Sequence, residues 1–545
     1  MAFRLPIEYR KCYPVQPSMV ADLELVAAQD GPAMYDCLFA PKTEHAKAAV
    51  ERWAGQFTDD TQYLEDTVAL LKKAKLKAFD TAPFLKAWRD HHQTTEFNSL
   101  YHYVEYEKLL FLNKIPLFLL LLSVYSMMTP VLFLLSPIMI LLVPFAMLQL
   151  ANKKVAWPEY KEVLFSVLRK HALGALFMGV QDASPNQLLY LVFTAGFFCL
   201  QLYGNVQTCL QFHKNVKKVH ALVDETRDYL AHVLDTMKAV EDAAPATYAP
   251  FVADLGKHYA VLADVHARLG KVLPFSYSVA EVTQLGTARH LFYQLRHNEA
   301  WKESLEYSLH FTGYAENMAH LQGLLERKVV NPCKFGADVK FSRAFYPPFP
   351  AHKKNSYRIQ NSLITGPNAS GKTTFIKTAM LNVLFSQQVG AGFYKRATVR
   401  PYQELCCYLN IPDTSGRDSL FQAEARRCKE ILDKVGKGRM LCIFDELFSG
   451  TNPFEASASA YAFLDHLCGQ PQVAFLLTTH FLDVCERMKD RAEASNMHMS
   501  SRMLNGGIHY EYKFRKGVSK VKGGLQVLKD LGYPRSIIEC AQKFA

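Results

Sequence analysis

The residues Gly366-Pro367-Asn368-Ala369-Ser370-Gly371-Lys372-Thr373 carry the spacing Gly-x-x-x-x-Gly-Lys-Ser/Thr. Glycines at the two ends let the backbone curl so that successive N–H groups point at phosphate oxygens. The start of a following helix would add its positive end to the same site. Lys372 has the reach for the β- and γ-phosphates of a nucleoside triphosphate, and the Thr373 hydroxyl is a ligand for Mg²⁺. The expected phosphate and nucleotide contacts run from Gly366 through Thr374. Two acids lie further along, Asp445 and Glu446. Asp445 would hold Mg²⁺ through water and Glu446 would polarise an attacking water. His480 could sense the γ-phosphate, although a lone histidine is usually only a cap. The expected chemistry is ATP hydrolysis, with Glu446 and His480 catalytic and Thr373 and Asp445 at the metal.

The flanking sequence supplies what such residues need. The apolar run SLIT (362–365) reads as a strand before the loop, and FIKTAMLNVLF (375–385) as a helix after it. MLCIFDE (440–446) has the character of a buried parallel strand ending in its two acids. VAFLLTTH (473–480) reads as a third strand, ending on His480 at the edge where parallel sheets bind ligands. Ser419 heads a helical pattern, FQAEARRCKEILDKV, whose N-terminal dipole suits an anion.

These motifs together resemble the ATPase domain of the MutS family, the DNA mismatch-repair ATPases related to ABC-type ATPases. TGPNASGKTT (365–374) is similar to that family's TGPNMGGKST, and Asn368 matches an asparagine that helps organise metal and γ-phosphate. LCIFDELFSGTNPFEA (441–456) resembles its strand, Asp-Glu pair and Gly-Thr loop, and TTHF (478–481) its Thr-His switch. DTSGRDSLFQAEARR (413–427) places Ser419, Phe421 and Glu424 on a signature-like stretch. The resemblance implies that Ser419 serves the ATP site of a partner subunit, so that a homodimer holds two composite sites. KGVSKVKGGLQVLKDLGYPRSIIECAQ (516–542), turning at Gly532-Tyr533-Pro534, is similar to the closing helix-turn-helix that locks two such domains together. The sequence also departs from the family. No Phe-x-Glu mismatch-reading motif occurs in residues 1–110, and Phe448-Ser449 stands where the family has Gly-Arg.

The chain has 545 residues, of which half are hydrophobic, and 62 Lys+Arg against 51 Asp+Glu give a net charge of +11. This balance excludes wholesale disorder and low-complexity classes, and permits a polyanion, nucleic acid or anionic lipid, without choosing between them. Twelve cysteines are scattered without a Cys-x-x-Cys, so zinc-finger spacing is absent and free thiols are expected. MAFRLPIEYRKCYP has no apolar core, and no cleavable signal peptide is read there.

The average charge conceals a run without any, Ile115–Asn152. One membrane span needs about 20 apolar residues, so the run suffices for nearly two. Pro116, Pro130, Pro137 and Pro144 argue against one straight helix. A membrane hairpin bending near Thr129–Pro137 is therefore expected, flanked by Lys108, Lys114, Lys153 and Lys154. The bland alternative is a buried hairpin in a soluble helical domain. A second run, Leu188–His213, reads equally as a third span or as a buried or interfacial helix. Parity matters: two spans keep both soluble parts on one side, and three separate them.

The expected organisation is multidomain. A mostly helical region (1–108), with a helix cap at Thr58-Asp59-Asp60, precedes a membrane-associated region (109–213, with the hairpin at 115–152 and a possible span at 188–212). A helical lever region (214–334) follows, and His213, Lys214, Lys217, Lys218 and His220 there could touch lipid phosphate or DNA, or merely line a solvated face. An α/β ATPase domain (335–512) and the dimerising helix-turn-helix (513–545) complete the chain, with a basic cluster at Lys513, Arg515, Lys516, Lys520 and Lys522. The favoured reading is a membrane-anchored ATPase with its catalytic domain on the cytosolic side, whose levers clasp DNA by its phosphates. The alternative is a membrane-bound mechanical or scaffolding ATPase that acts on protein or lipid without DNA. A transporter ATPase fits less well, because three marginal spans are too few for a pore.

Overall fold

The computed structural model describes all residues except 1–2, 78, 152–155, 171–184, 277, 350–351, 410–418, 505–506, 522 and 545. The chain divides into two compact units. The first comprises Met1–Phe79, Asp235–Tyr259 and Glu306–Ala545, and the second Asp80–Leu234 and Ala260–Leu305. The first 79 residues thus fold with the C-terminal half, which differs from the consecutive segments read along the sequence.

The first unit holds thirteen strands among its described residues. β1 (Cys12–Pro14) and β2 (Gln56–Thr58) pair with each other. β3 (Asn331–Phe335), β4 (Lys340–Ala344), β5 (Asn355–Arg358), β7 (Ala391–Gly392) and β8 (Arg396–Val399) form a sheet of order β5-β4-β8-β3-β7. β6 (Asn361–Thr365), β9 (Glu404–Tyr408), β10 (Met440–Asp445), β11 (Val473–Thr478), β12 (Ala494–Leu504) and β13 (Gly507–Lys516) form the other, of order β13-β12-β6-β11-β10-β9. The pairs from β9 through β12 are parallel, and β13 returns antiparallel to β12. Apolar runs without alternation form β10 and β11 because helices cover both faces. Phe444, Phe475 and Leu477 pack with Phe463, Leu464 and Leu467 of the helix Pro453–Cys468, whose start is capped by Asn452 accepting from the Glu455 N–H.

The helix Lys372–Val389 lies within the unit and is buried along nearly its whole length. The N-terminal residues cover the face that the sheet does not. Gln388 Nε2 donates to the Trp53 and Gln56 carbonyls, and its Oε1 accepts from Tyr35. Gln387 Nε2 donates to the Thr58 and Tyr402 carbonyls. The helix ends at Gly390, which has φ 70°; a Cβ there would lie 2.2 Å from the Leu64 carbonyl oxygen, so only glycine fits. The expected cap before the next helix is Asp60, which accepts from the Tyr63 N–H at the start of Thr61–Lys73.

The second unit corrects the expected hairpin within 115–152: one continuous helix runs Pro116–Leu150. Pro116 sits at its start, where no N–H is needed. At Pro137 the carbonyl left without a donor is that of Phe133, and the Ser136 hydroxyl donates to it at 2.7 Å. The hairpin exists at a larger scale. A second helix, Pro185–Ala243, packs on the first through Phe133–Phe198 and through Cys209, whose thiol faces the Met127 carbonyl. The helix Trp157–Lys170 lies between them in sequence. Among the described residues, two helices are long and apolar enough to cross a membrane, at Pro116–Ser136 and Leu188–Ala243. Of the flanking lysines, Lys153 and Lys154 lie outside the described residues, as does most of the polar patch at 181–187.

At the base of the hairpin, Arg289 is buried with no carboxylate. Its guanidinium donates to the Leu119, Tyr101 and His102 carbonyls and to the Ser123 hydroxyl, and stacks over Tyr103. All twelve cysteines are free thiols.

Candidate functional site

The loop from Gly366 joins β6 to the helix that begins at Lys372. Gly371 has φ 87°, and a Cβ added there would lie 3.1 Å from the Tyr512 ring. The second glycine is thus held by a conformation and a close approach together. Lys372 is 7% exposed. Its ammonium donates to the Gly366 carbonyl at 3.1 Å and lies 3.1 Å from His480 Nε2. Burial lowers its pKa, while Glu446 and Asp445 act in the opposite direction.

Parallel pairing of β10 with β11 sets Asp445 opposite Thr478. Asp445 accepts from the Thr373 hydroxyl at 2.8 Å and from the Thr478 hydroxyl. Glu446 follows with φ 51°, a left-handed conformation that costs a non-glycine residue about 1–2 kcal/mol. Strain of this kind at a strand end turns the carboxylate off the sheet, and it persists where surrounding structure dictates it. Glu446 Oε1 lies 3.0 Å from His480 Nε2. That hydrogen bond, more than the nearby Lys372, pulls the Glu446 pKa below the ordinary carboxylate value, against the effect of burial. His480 Nε2 faces both a carboxylate and an ammonium, and one ring nitrogen cannot donate to the first while accepting from the second. A phosphate that drew Lys372 away would leave it free to donate to Glu446.

Above the loop is a cavity of about 700 Å³. Asn368 through Phe375 and Glu446 form its floor; Tyr346, Phe349, His352 and Tyr357 line its wall, with Met499 and Tyr512. The sequence reading places the floor and misses the wall. The turn-rich stretch FYPPFPAHKKNSYR (345–358) that supplies most of the wall carries several aromatic and histidine side chains, the one signal that marks it. Thr478, expected only as part of the Thr-His stretch 478–481, is brought to Asp445 by pairing across the sheet.

The residues present fit a magnesium nucleotide. The Ser370 hydroxyl is buried with no partner, and Lys372 has no carboxylate directly bound. A volume of several hundred Å³ is the size range of small-molecule sites. Among the described residues no cluster of three or more His, Cys, Asp or Glu could hold a metal alone. Mg²⁺ takes one or two protein oxygens and keeps phosphate and water for the rest, a role open to Thr373 and Asp445.

Residues 362–545 match MutS domain V. Domain V is the ATPase domain in the MutS family, and the match spans β6, the loop at Gly366, both acids, His480 and the C-terminal helices. Within the domain V region, Ser419 is exposed and caps the helix Leu420–Leu432 by accepting from the Gln422 N–H at 3.3 Å, with Gln422 returning a bond to the Ser419 N–H. It does not line the cavity of its own chain. Residues 410–418, which begin the signature-like stretch, lie outside the described residues. Glu424 is buried and accepts from the Ser449 N–H, the Ser449 hydroxyl and the Gly450 N–H. It thereby ties the Ser419 helix to the loop after Glu446. Phe448 packs on Phe421 and Phe463, so the departure at Phe448-Ser449 is accommodated by aromatic packing and a carboxylate cap.

The domain V region ends in two helices, Gly523–Asp530 and Arg535–Phe544, with Gly532 at φ 74° between them. Val527, Leu531, Tyr533 and Ile537 are exposed. Of the basic cluster, Arg515 pairs with Glu511 at 3.3 Å and Lys513 donates to the Lys354 carbonyl, while Lys522 lies outside the described residues. The other expected basic cluster divides: His220 is buried 3.6 Å from Glu281, and Lys214, Lys217 and Lys218 are not buried.

Proposed function

We propose that the protein is a MutS-like ATPase anchored in a membrane, which binds and hydrolyses ATP at composite sites in a homodimer and uses the resulting motion to clasp DNA. The observation that carries the ATPase part is the meeting of Lys372, Thr373, Asp445, Glu446 and His480 at one end of the parallel sheet. Backbone N–H groups of 366–371 and Lys372 hold the phosphates, and the aromatic wall at Tyr346 and Phe349 takes the base. Thr373 and Asp445 hold Mg²⁺, which would neutralise phosphate charge. Glu446 orients and polarises the attacking water, and His480 registers whether Lys372 is engaged by phosphate.

An exposed Ser419 at the head of an intact helix supports its use by a partner subunit, and the apolar residues of the two C-terminal helices support dimerisation. Glu446→Gln should lower kcat by about 10²–10⁴-fold with ATP binding retained. Undiminished turnover would reject the catalytic assignment. Mixing Ser419→Ala with Glu446→Gln subunits tests the composite site. If Ser419 acts in trans, one of the two heterodimer sites is intact and turnover reappears; if it acts in cis, none does.

The DNA role rests on the match to MutS domain V and on sequence-independent phosphate contacts, whose affinity falls steeply with salt. Duplex and junction binding measured across salt, with and without ATP, tests it. Salt-independent or undetectable binding by the dimer favours the second reading, a mechanical ATPase acting on protein or lipid. The long exposed apolar helices support that reading equally.

A further inference from the structure

We infer that the bilayer covers only Met128–Leu150 and Leu188–Leu210, so that the chain crosses twice and residues 1–79 share the membrane side of residues 306–545. This rests on the membrane anchoring proposed above and assigns its boundaries and parity.

The first boundary is set by protein contact. The opening turns of the helix Pro116–Leu150 are held within the second unit. Gly286 approaches so closely that a Cβ there would lie 2.1 Å from the Pro116 carbonyl oxygen and 2.8 Å from Leu120 Cβ. Leu119 and Ser123 are fully buried, and Arg289 clasps both. Protein, including the Arg289 guanidinium, therefore takes one face of these turns, and a bilayer cannot surround them, although Leu117, Leu121 and Tyr125 on the other face are exposed. Met127 is the last residue of this helix packed on the cluster of Phe212, Val216 and Leu285.

Beyond it no described residue of this helix is buried. Leu134, Leu135, Met139, Leu142, Val143 and Met147 are all exposed. The second helix mirrors this, with Leu189, Val192, Phe193, Phe197 and Leu200 exposed before Phe212 enters the protein core. Each exposed stretch is about 23 residues, or about 34 Å of helix, which matches a hydrocarbon core of about 30 Å with modest tilt. Neither contains a charge.

The ends carry the side chains that suit a lipid–water boundary. Lys214, Lys217 and Lys218 lie at the near end, none of them buried, where they can meet lipid phosphate. At the far end Phe145 meets the rings of Trp157 and Tyr160, residue types that favour the headgroup level.

Parity follows from the first unit. Gln387 and Gln388 bond to the backbone of Trp53, Gln56 and Thr58, which requires residues 1–79 and 306–545 to occupy one aqueous compartment. Only an even number of crossings allows this. The helix Trp157–Lys170 then lies on the opposite side.

The test uses full-length protein in sealed liposomes, an impermeant maleimide, and mass spectrometry to locate the label. Carbonate extraction comes first: release of the protein would overturn the anchor and this topology together. With the protein retained, Glu51→Cys and native Cys540 should label from one side and Glu162→Cys only from the other. Leu117→Cys should label at least about tenfold faster than Leu134→Cys or Leu200→Cys, because the reactive thiolate is disfavoured in hydrocarbon. Labelling of Glu51→Cys and Cys540 from opposite faces, or equal protection of Leu117→Cys and Leu134→Cys, would overturn the inference and leave the anchor standing.

Discussion

Two helices of this protein lack a polar face, and they differ in how far their polar side chains reach. The helix Lys372–Val389 is enclosed by protein, and its Lys377, Gln387 and Gln388 each reach a partner outside the helix. The helix Pro116–Leu150 beyond Met127 is enclosed by nothing among the described residues on its outer face. Hydroxyls turn back on their own helix in both, Thr378 and Ser386 in the first and Thr129 and Ser136 in the second, and the first adds long side chains that reach beyond it. On the proposed anchoring the two surrounds are protein and lipid: the first supplies acceptors at fixed places that long amides can reach, and the second supplies none.

The largest expected effect lies on the protein-enclosed side. Gln388→Leu strands the Trp53 and Gln56 carbonyls and the Tyr35 hydroxyl in the interior. At about 1–3 kcal/mol for each unsatisfied buried group, a loss of about 3–5 kcal/mol is expected in urea unfolding followed by a probe in the first unit. A loss below about 1 kcal/mol would mean that the N-terminal cover is not fixed by these bonds. Next comes the lipid-facing side. Leu134→Lys should oppose insertion by about 2.5–3.5 kcal/mol, and the measurement is the carbonate-resistant fraction. The same change at Leu117, at the protein end of the helix, should leave that fraction nearly unaltered.

A third expectation concerns pH. His91, in the second unit, is 3% exposed, packs against Phe97 and Phe292, and has neither ring nitrogen bonded. Burial, followed by the nearby His92, Arg296 and His297, lowers its pKa to about 2. The unfolded chain binds this proton near pH 6.5, so stability is full above that value and falls as pH drops toward the folded value. Each pH unit in that window removes up to about 1.4 kcal/mol. The urea midpoint of the second unit should therefore fall between about pH 7 and 5, and His91→Phe should flatten the slope.

The same contrast explains what is legible in the sequence. The loop at Gly366, the strand that ends in Asp445 and Glu446, and the Asp60 cap are local patterns in which neighbours along the chain dictate the geometry. The aromatic wall at Tyr346 and Phe349 and the pairing of Asp445 with Thr478 arise from chain folding across longer distances, and no local spacing announces them. Residues 1–108 read as one helical region because their helices have ordinary amphipathic patterns, and only 1–79 of them fold with the C-terminal half. Nothing in Trp53 or Gln56 reveals that their carbonyls await Gln388, more than 300 residues away. The single helix over Pro116–Leu150 escapes the sequence reading for another reason. The rule that proline breaks a helix presumes an unsatisfied carbonyl, and at Pro137 a neighbouring serine supplies the missing donor.

That serine offers the smallest and most discriminating test. Pro137 has no N–H to offer the Phe133 carbonyl, and Ser136 donates there instead at 2.7 Å. In water Ser136→Ala would cost little, because solvent replaces the hydroxyl. In a bilayer no solvent does so, and hydrogen bonds in membranes average about 0.6 kcal/mol with a maximum near 1.7. Ser136→Ala should therefore lower stability in lipid by about 0.5–1.5 kcal/mol, measured by reversible unfolding in bicelles. With Pro137→Ala in the background, the new N–H reaches the Phe133 carbonyl and the serine has nothing left to repair. The two changes should couple, with the cost of Ser136→Ala near zero once Pro137→Ala is present. Equal losses in both backgrounds would show that the hydroxyl does not complete this helix, and the proline tolerance would need another cause.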